Sequence, residues 1–302
     1  MATEARSTFN NFLQDTLFAV AQDMGFKRHP PEWKQWAVTR TSKKAHEESG
    51  YMSGFGYLAN KPEGSNVSYD NRIQGAVKRW VHDTFALGVR ITEEAIEDLQ
   101  KYVMSTAMKD LGTSAAATLH KQATRMIMTG TATTYHTTGA GLALFSASHA
   151  MLGGGTWSNL GAAATPTEAA LTAAIRNFEA ITDHRGKQYM QQAKTVVCGP
   201  SLEFTFDKLL GSTYEPDTAN NAVNAVIRRR KLKLVIDHEI TDDRWVVFGD
   251  KDPDVGFIHF DRVRPTMTRH GDPDTGDALF VVRCRFSNEC NDPRSAYMIP
   301  NA

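Results

Sequence analysis

LALFSASHAMLGGGTWSNLGAAATPTEAALTAAIRNFEAITDHRGK, residues 142–187, is the stretch on which the fold turns. It opens on an apolar run ending in Leu144–Phe145–Ser146, then passes through His149, a Gly153–Gly154–Gly155 turn and Asn159–Leu160. Proline suits the first helical position, so Thr165–Pro166 reads as a helix start with Thr165 as its cap. Leu171, Ile175, Phe178 and Ile181 recur at helical spacing, which predicts a helix over 164–183 with one buried face. Asp183–His184–Arg185–Gly186 ends it. Ser146 and His149 invite a hydrolase reading, but a nucleophile and base this close in sequence do not usually meet, and no GxSxG elbow precedes them. The structural alternative is a polar loop in which His149 bonds backbone.

Towards the C-terminus, residues 194–198, 232–236 and 244–248 read as strands, with a helix over 202–210 between the first two. The last fifty residues read mostly as strands around the turn Gly271–Asp272–Pro273–Asp274–Thr275–Gly276, with Leu279 to Phe286 returning. Towards the N-terminus, Leu87–Ile91 is a short strand and Thr92 is a good helix cap. The carboxylates of Glu93, Glu94, Glu97 and Asp98 fall where the helix dipole favours them. Ile96, Leu99, Val103, Ala107 and Leu111 make one apolar stripe. Gly112–Thr113–Ser114 predicts a weak point or bend before the helix resumes to Met128.

Residues 36–90 read as extended. Trp36–Thr39 begins a strand, and a long polar stretch follows with Gly50, Gly54 and Gly56 among the aromatics Tyr51, Phe55 and Tyr57. Lys61–Pro62–Glu63–Gly64–Ser65–Asn66 is a strong turn signal, after which Val67 to Trp80 runs out again. A two-stranded hairpin alone is marginal in water, so one this long must lie on something else, and a neighbouring subunit is the obvious candidate. Residues 8–26 carry Phe9, Leu13, Leu17, Val20 and Met24 on one helical stripe. They read either as an arm that docks on a neighbour or as an ordinary first helix.

Composition narrows the function. The chain has 302 residues, which suggests two domains or one large one with an insertion, and 41% of them are apolar, enough for a packed core. Lys+Arg and Asp+Glu each number 34, and this neutrality argues against a dedicated nucleic-acid binder while leaving enclosure of nucleic acid open. Three cysteines without a CxxC pair fit a reducing compartment. No apolar run reaches membrane-spanning length, and the polar start, MATEARSTFNNF, carries no signal-peptide core, so synthesis in the cytoplasm is expected. The chain lacks HExxH, GxxxxGK[ST] and GxGxxG. Asp250–Lys251–Asp252–Pro253–Asp254 starts like a calcium loop, but its glycine, Gly256, is one place late and no glutamate closes it. No catalytic residue, metal or cofactor is expected.

Taken together, the order of these segments resembles the major capsid proteins of tailed bacteriophages, in particular the Mu-like major head subunit family. The carrying residues are the LFS…H…N–L passage within 142–159, Val89 to Leu99, Lys194 to Pro200, the YEPDTANN loop over 214–221, and Val281 to Phe286. The resemblance covers most of the chain. It implies an α+β fold with an N-terminal arm (1–30), a peripheral domain (31–44, 86–138 with a long spine helix, and 251–302 as closing strands), an extended hairpin (45–85) and an axial domain (139–250). It further implies self-assembly into hexamers and pentamers of an icosahedral shell around double-stranded DNA. Separate scaffold and portal proteins, decoration proteins and residence in the virion go with that plan. A nanocompartment shell of the same fold enclosing a cargo enzyme is the alternative, and a soluble serine hydrolase is the alternative of another class. The acidic run before the spine is shortened here to Glu97–Asp98, and no matched Lys and Asn for a covalent cross-link is identifiable.

The expected inter-subunit contacts are Tyr51, Phe55, Tyr57, Glu63, Arg79 and Trp80 from the hairpin and Arg228, Arg229 and Arg230 from the only basic run. In the family plan that run falls near the centre of a ring. Its repetition there needs carboxylates close by, such as those among Glu215, Asp217, Asp242 and Asp243.

Overall fold

The computed structural model describes residues 29–98, 101–211, 230–251, 256–290 and 292–300. Residues 1–28 of the arm read over 1–30, Leu99 of the spine stripe, the 214–221 loop, and Arg228 and Arg229 lie outside the described residues. In chain order the strands are β1 (Val38–Thr41), β2 (His46–Met52), β3 (Gln74–Val81), β4 (Asp83–Ile91), β5 (His149–Ala150), β6 (Thr156–Trp157), β7 (Thr195–Cys198), β8 (Lys233–Ile236), β9 (Trp245–Phe248), β10 (Phe257–Gly271), β11 (Ala278–Cys290) and β12 (Ala296–Ile299). The helices are α1 (Glu93–Glu97), α2 (Lys101–Met128), α3 (Glu168–Glu179) and α4 (Glu203–Gly211). The α+β architecture matches the expected tailed-phage major capsid fold.

Two four-stranded sheets organise the chain. The first runs β1-β10-β11-β4, with β1 parallel to β10 and the other pairs antiparallel. Its register slips between Asp261 and Thr266, around Pro265, which has no N–H to give a ladder and is tolerated at such irregularities. The second runs β12-β9-β7-β8. Here the structure corrects the expected division. The last strand does not join the peripheral set assigned over 251–302 but pairs antiparallel with β9, Ala296 opposite Phe248. Ala296–Ile299 is apolar and buried at every position, which needs a sheet covered on both faces, as the second sheet is, even though the strand lies at its edge.

At 28 residues, α2 spans about 42 Å. It does not break at Gly112. A glycine inside a helix is worse than alanine by about 1 kcal/mol, and packing on both sides of it offsets this. Met108 and Leu111 bury against Ala278, Phe280 and Val282, and Leu119 against Cys284 and Phe286. The Thr113 and Thr118 hydroxyls donate to the carbonyls of Lys109 and Ser114 one turn back, a local bond that costs the helix little. Further along, Ala123, Met126 and Ile127 enter a core shared with the second sheet. Aromatic rings tie that core together: Trp36 stacks on Phe248 at 5.2 Å, and Phe145 on Phe257 at 5.8 Å.

On its other face the second sheet is covered by Leu171, Ala174, Ile175 and Phe178 of α3 and by Phe206 and Leu209 of α4. The apolar stripe read for α3 is therefore the buried one. Its cap, however, is Thr167, not Thr165: the Thr167 hydroxyl accepts from Ala170 N at 3.2 Å. Thr167 has the extended backbone a cap needs and puts Glu168 in the first turn, where the dipole favours it. The three cysteines are buried and unpaired, and burial pushes the Cys198 thiol up to about 12 and the Cys284 thiol to about 11. Among the described residues, no helix is long and apolar enough to cross a membrane.

Candidate assembly surface

β2 and β3 form the stem of the long hairpin, paired antiparallel from His46↔Val81 to Gly50↔Val77 and, after a one-residue register shift, at Met52↔Gln74. Ser53 N donates to Ile73 O (2.8 Å) and Ile73 N to Ser53 Oγ (2.9 Å), closing the ladder. Beyond that point residues 54–72 run without strand pairing around the expected turn, where Ser65 N donates to Pro62 O at 3.2 Å. Asp70 holds the width of this loop. Its carboxylate accepts from Gly56 N at 2.8 Å and from Arg185 at 3.2 Å. The Gly56 N–H above all, and then Arg185, keep it below the usual carboxylate range.

Ten of the fourteen large apolar side chains exposed among the described residues fall between Met52 and Leu87. Leu58 is 100% exposed and Tyr69 95%. Phe55 and Tyr57, both expected as contacts, are exposed too, and Glu63 sits exposed at the tip. Nine of the ten lie on the hairpin and Leu87 on β4; a solvated monomer rarely gathers so much apolar surface in one stretch, and a surface of this kind marks an interaction site.

The root of the hairpin is seated on the 183–187 loop. Tyr51 stacks on His184, ring centroids 4.4 Å apart and planes 2° from parallel. Gly75 makes room for it, since a Cβ there would lie 2.3 Å from the tyrosine ring. The glycine triplet read in the sequence supports the same loop. Gly153 N donates to His184 O at 2.9 Å, and a Cβ at Gly153 would lie 2.8 Å from that oxygen. Beneath His184 lies Arg294, 1% exposed. Its Nη1 donates to His184 Nε2 and to Asp292 Oδ2, both at 2.8 Å, its Nε to Thr182 O at 2.8 Å, and its guanidinium lies 4.3 Å above Trp157.

The LFS…H…N–L passage braces this assembly from the side. His149 stacks on Trp157 at 4.5 Å and donates from Nε2 to Asn159 Oδ1 at 3.0 Å. Asn159 Nδ2 donates to the Leu144 and Pro293 carbonyls. Ser146 Oγ is engaged with Ser148, accepting from its N at 3.2 Å. Ser146 N also donates to Asn159 Oδ1 at 2.9 Å, so the serine hydroxyl and the imidazole of the hydrolase reading bond different groups and not each other.

The other expected contact residues divide. Arg79 is exposed and bonds Glu48 across the stem at 2.7 and 2.9 Å. Trp80 is a correction: it is 2% exposed, packed on Ile258 and Phe260 within its own subunit. The alternation of β3 turns it inward, so it anchors the stem to the first sheet. Lys78 strengthens the anchor, reaching Glu289 at 3.0 Å and Thr137 O at 2.5 Å. Arg230 is paired within the subunit, 2.7 Å from Glu179. Asp242 is likewise committed to Arg244, whose Nη1 donates to the Ile127 and Met128 carbonyls at the end of α2. Sequence reading missed Arg294 and His184, because nothing local marks a buried arginine whose partners other than Asp292 lie more than a hundred residues away.

This seat should respond to acid. Burial first, and then the Arg294 cation, lower the His184 pKa to about 4; burial, Lys78 and Arg125 do the same to His136. Both values lie below the unfolded value of about 6.5. The stability these neutral rings contribute is therefore complete above pH 6.5 and lost as pH falls towards 4. His120 and Glu289 are shifted upward and oppose this in part. The urea midpoint is expected to fall between about pH 7 and pH 4.5. In a His184→Gln variant, which keeps an acceptor for Arg294 but does not titrate, the fall should be shallower. An equal slope in both proteins would show that His184 is not part of it.

Comparison with known proteins adds three findings. A sequence model described as phage capsid protein matches residues 77–299. No curated protein matches the chain. Among solved structures, the capsid of cyanophage P-SCSP1u superposes with a TM-score of 0.58 at 12% identity, covering 88% of this chain and 86% of that one. The virus-like particle from Pyrococcus furiosus gives 0.54 at 11%, covering 94% and 98%. The holo-SrpI encapsulin complex from Synechococcus elongatus PCC 7942 gives 0.52 at 9%, covering 89% and 86%.

Proposed function

The chain belongs to the phage capsid protein family, and from that premise we propose that it is the major head subunit, assembling into closed rings of six and five and thereby into an icosahedral shell around double-stranded phage DNA. The observation that carries this is the hairpin. Its loop exposes Phe55, Tyr57, Leu58, Val67 and Tyr69 with no core of its own, and a neighbouring copy supplies what is missing. Contacts of this head-to-tail kind close into rings. Phe55, Tyr57, Glu63 and Arg79 are then inter-subunit contacts, and Tyr51 sets the angle at which the hairpin leaves the subunit. The order of motifs through residues 89–99 and 142–159 supports the Mu-like branch of the family. The residue ranges of the arm, hairpin, peripheral and axial parts carry their expected roles, with residues 296–299 moved to the axial sheet.

The formal charge of zero fits holding DNA by enclosure, not by sequence-specific contact. Separate scaffold and portal proteins complete the head, and assembly precedes packaging in the host cytoplasm. A second reading, a nanocompartment loaded with a cargo enzyme, is favoured by the encapsulin and virus-like-particle likeness. Negative-stain microscopy and size-exclusion chromatography of purified protein are expected to give rings or shells without any cofactor. Monomer under all salt and crowding conditions would sink both readings. Nuclease treatment of particles from the native source, followed by extraction, separates them: protected double-stranded DNA supports the head, and a single co-purifying enzyme supports the nanocompartment.

A further inference from the structure

Three distant parts of the chain meet at one buried point. Glu32 opens the short turn Glu32–Gln35, His120 lies in α2, and Asp237 follows β8. His120 Nε2 is 2.8 Å from Asp237 Oδ1 and 3.9 Å from Glu32 Oε2, and the three atoms lie within 4.8 Å of one another. Asp237 is fully buried and His120 nearly so. Glu32 Oε2 is sealed from solvent and accepts no hydrogen bond. Its polar neighbours, His238 Nδ1 at 3.6 Å and His120 Nε2 at 3.9 Å, stand beyond bonding distance.

Charge and geometry argue together. The buried Asp237 carboxylate, the partly buried Glu32 carboxylate with its sealed Oε2, and a neutral imidazole bring a double negative charge together, and a protonated imidazole removes only half of it. Buried charge without compensation is strongly unfavourable. A divalent cation balances it fully. Tetrahedral ligation with bonds of roughly 2.0–2.1 Å sets ligand atoms on the order of 3.3 Å apart. The separations of 2.8 and 3.9 Å bracket that value, so small side-chain adjustments suffice. Asp237 also has the outer partners that orient a ligating carboxylate: Thr124 Oγ1 donates to Oδ2 at 2.6 Å and Glu239 N to Oδ1 at 3.0 Å. His238, 71% exposed, marks the way in from solvent.

We propose that Glu32 Oε2, His120 Nε2 and Asp237 Oδ1 bind a divalent transition-metal ion, with zinc the best match to a ligand set of one imidazole and two carboxylates. The fourth position is left to water, with His238 at its mouth. Magnesium and calcium prefer all-oxygen sites and fit poorly. The ion would staple the segment carrying Trp33 and Trp36 to α2 and to the second sheet, and so fix the junction of the two sheets.

The test uses the full chain stripped with a chelator and then titrated with zinc, followed by calorimetry and thermal melting. One zinc per chain and a higher melting temperature are expected. Glu32→Gln should weaken zinc binding on the order of tenfold or more. Without metal this variant should melt no lower than the stripped parent, because the uncompensated carboxylate is gone; a merely structural Glu32 would give the opposite. Cobalt(II) in place of zinc should give a visible ligand-field band that His120→Asn alters. Absence of stoichiometric zinc binding overturns the proposal. So does binding that Glu32→Gln leaves unchanged, since the ion then sits elsewhere.

Discussion

Replacing residues 54–72 with a two-residue Asn–Gly turn is expected to abolish shell formation while leaving the subunit folded. Met52 and Gln74 face each other in the ladder, and Ser53 and Ile73 close it, so the tight turn continues a register already present. Removing the whole hairpin would be a different experiment, because Tyr51, Lys78 and Trp80 hold its stem to the body. The excised loop carries Phe55, Tyr57, Leu58, Val67 and Tyr69, none of them buried, so the subunit's own core loses nothing. Circular dichroism should report an essentially unchanged melt, and microscopy should report no shells. Normal shells would show that the loop is not the cement between copies. Unfolding would show that it belongs to the subunit's own core.

Arg294→Ala should be the most destabilising single change at the seat of the hairpin, by about 3–5 kcal/mol. The guanidinium is 1% exposed and serves Asp292, His184 and Thr182 at once. Truncation leaves the Asp292 carboxylate buried with its charge uncompensated, which is the costly way to break an ion pair. Arg294→Met together with Asp292→Asn removes both charges and is expected to recover much of the loss. Denaturant midpoints for the two variants decide the matter. A single variant within about 1 kcal/mol of the parent would show that water takes over the bonds of Arg294.

The α3 stripe, the two buried strands over 194–198 and 244–248, and the hairpin with its Pro–Glu–Gly turn were legible in the sequence, because each is written in local periodicity or turn chemistry. The weak point read at Gly112 does not interrupt the helix, because a residue's own helix preference is smaller than the burial of Met108, Leu111 and Leu119 beside it. Trp80 was misread because aromatic residues in a polar hairpin look alike until the pleat assigns each a face. The return of residues 296–299 to the second sheet was invisible, since a short apolar strand does not say which edge it pairs with. Arg294 was invisible for a similar reason. Its partners come together only when residues 182–184, 292 and 157 are already in place.

The topology of the first sheet also sets a timetable. β4 ends at Ile91, and its partner β11 begins at Ala278. At roughly 5–20 residues per second, a ribosome needs on the order of 10–40 s to make the intervening chain. For most of that interval the hairpin loop is already outside the ribosome, while the sheet that anchors its stem does not yet exist. The second sheet closes later still, when residues 296–299 emerge. A newborn chain therefore displays this exposed apolar loop before it has a body to orient it, on polysomes where other copies are close by. The polar Lys61–Pro62–Glu63–Gly64 tip, with a proline that cannot extend a ladder, keeps such early encounters from becoming strand pairing. Chaperone depletion during expression should harm yield more than refolding of the dilute finished chain would suggest.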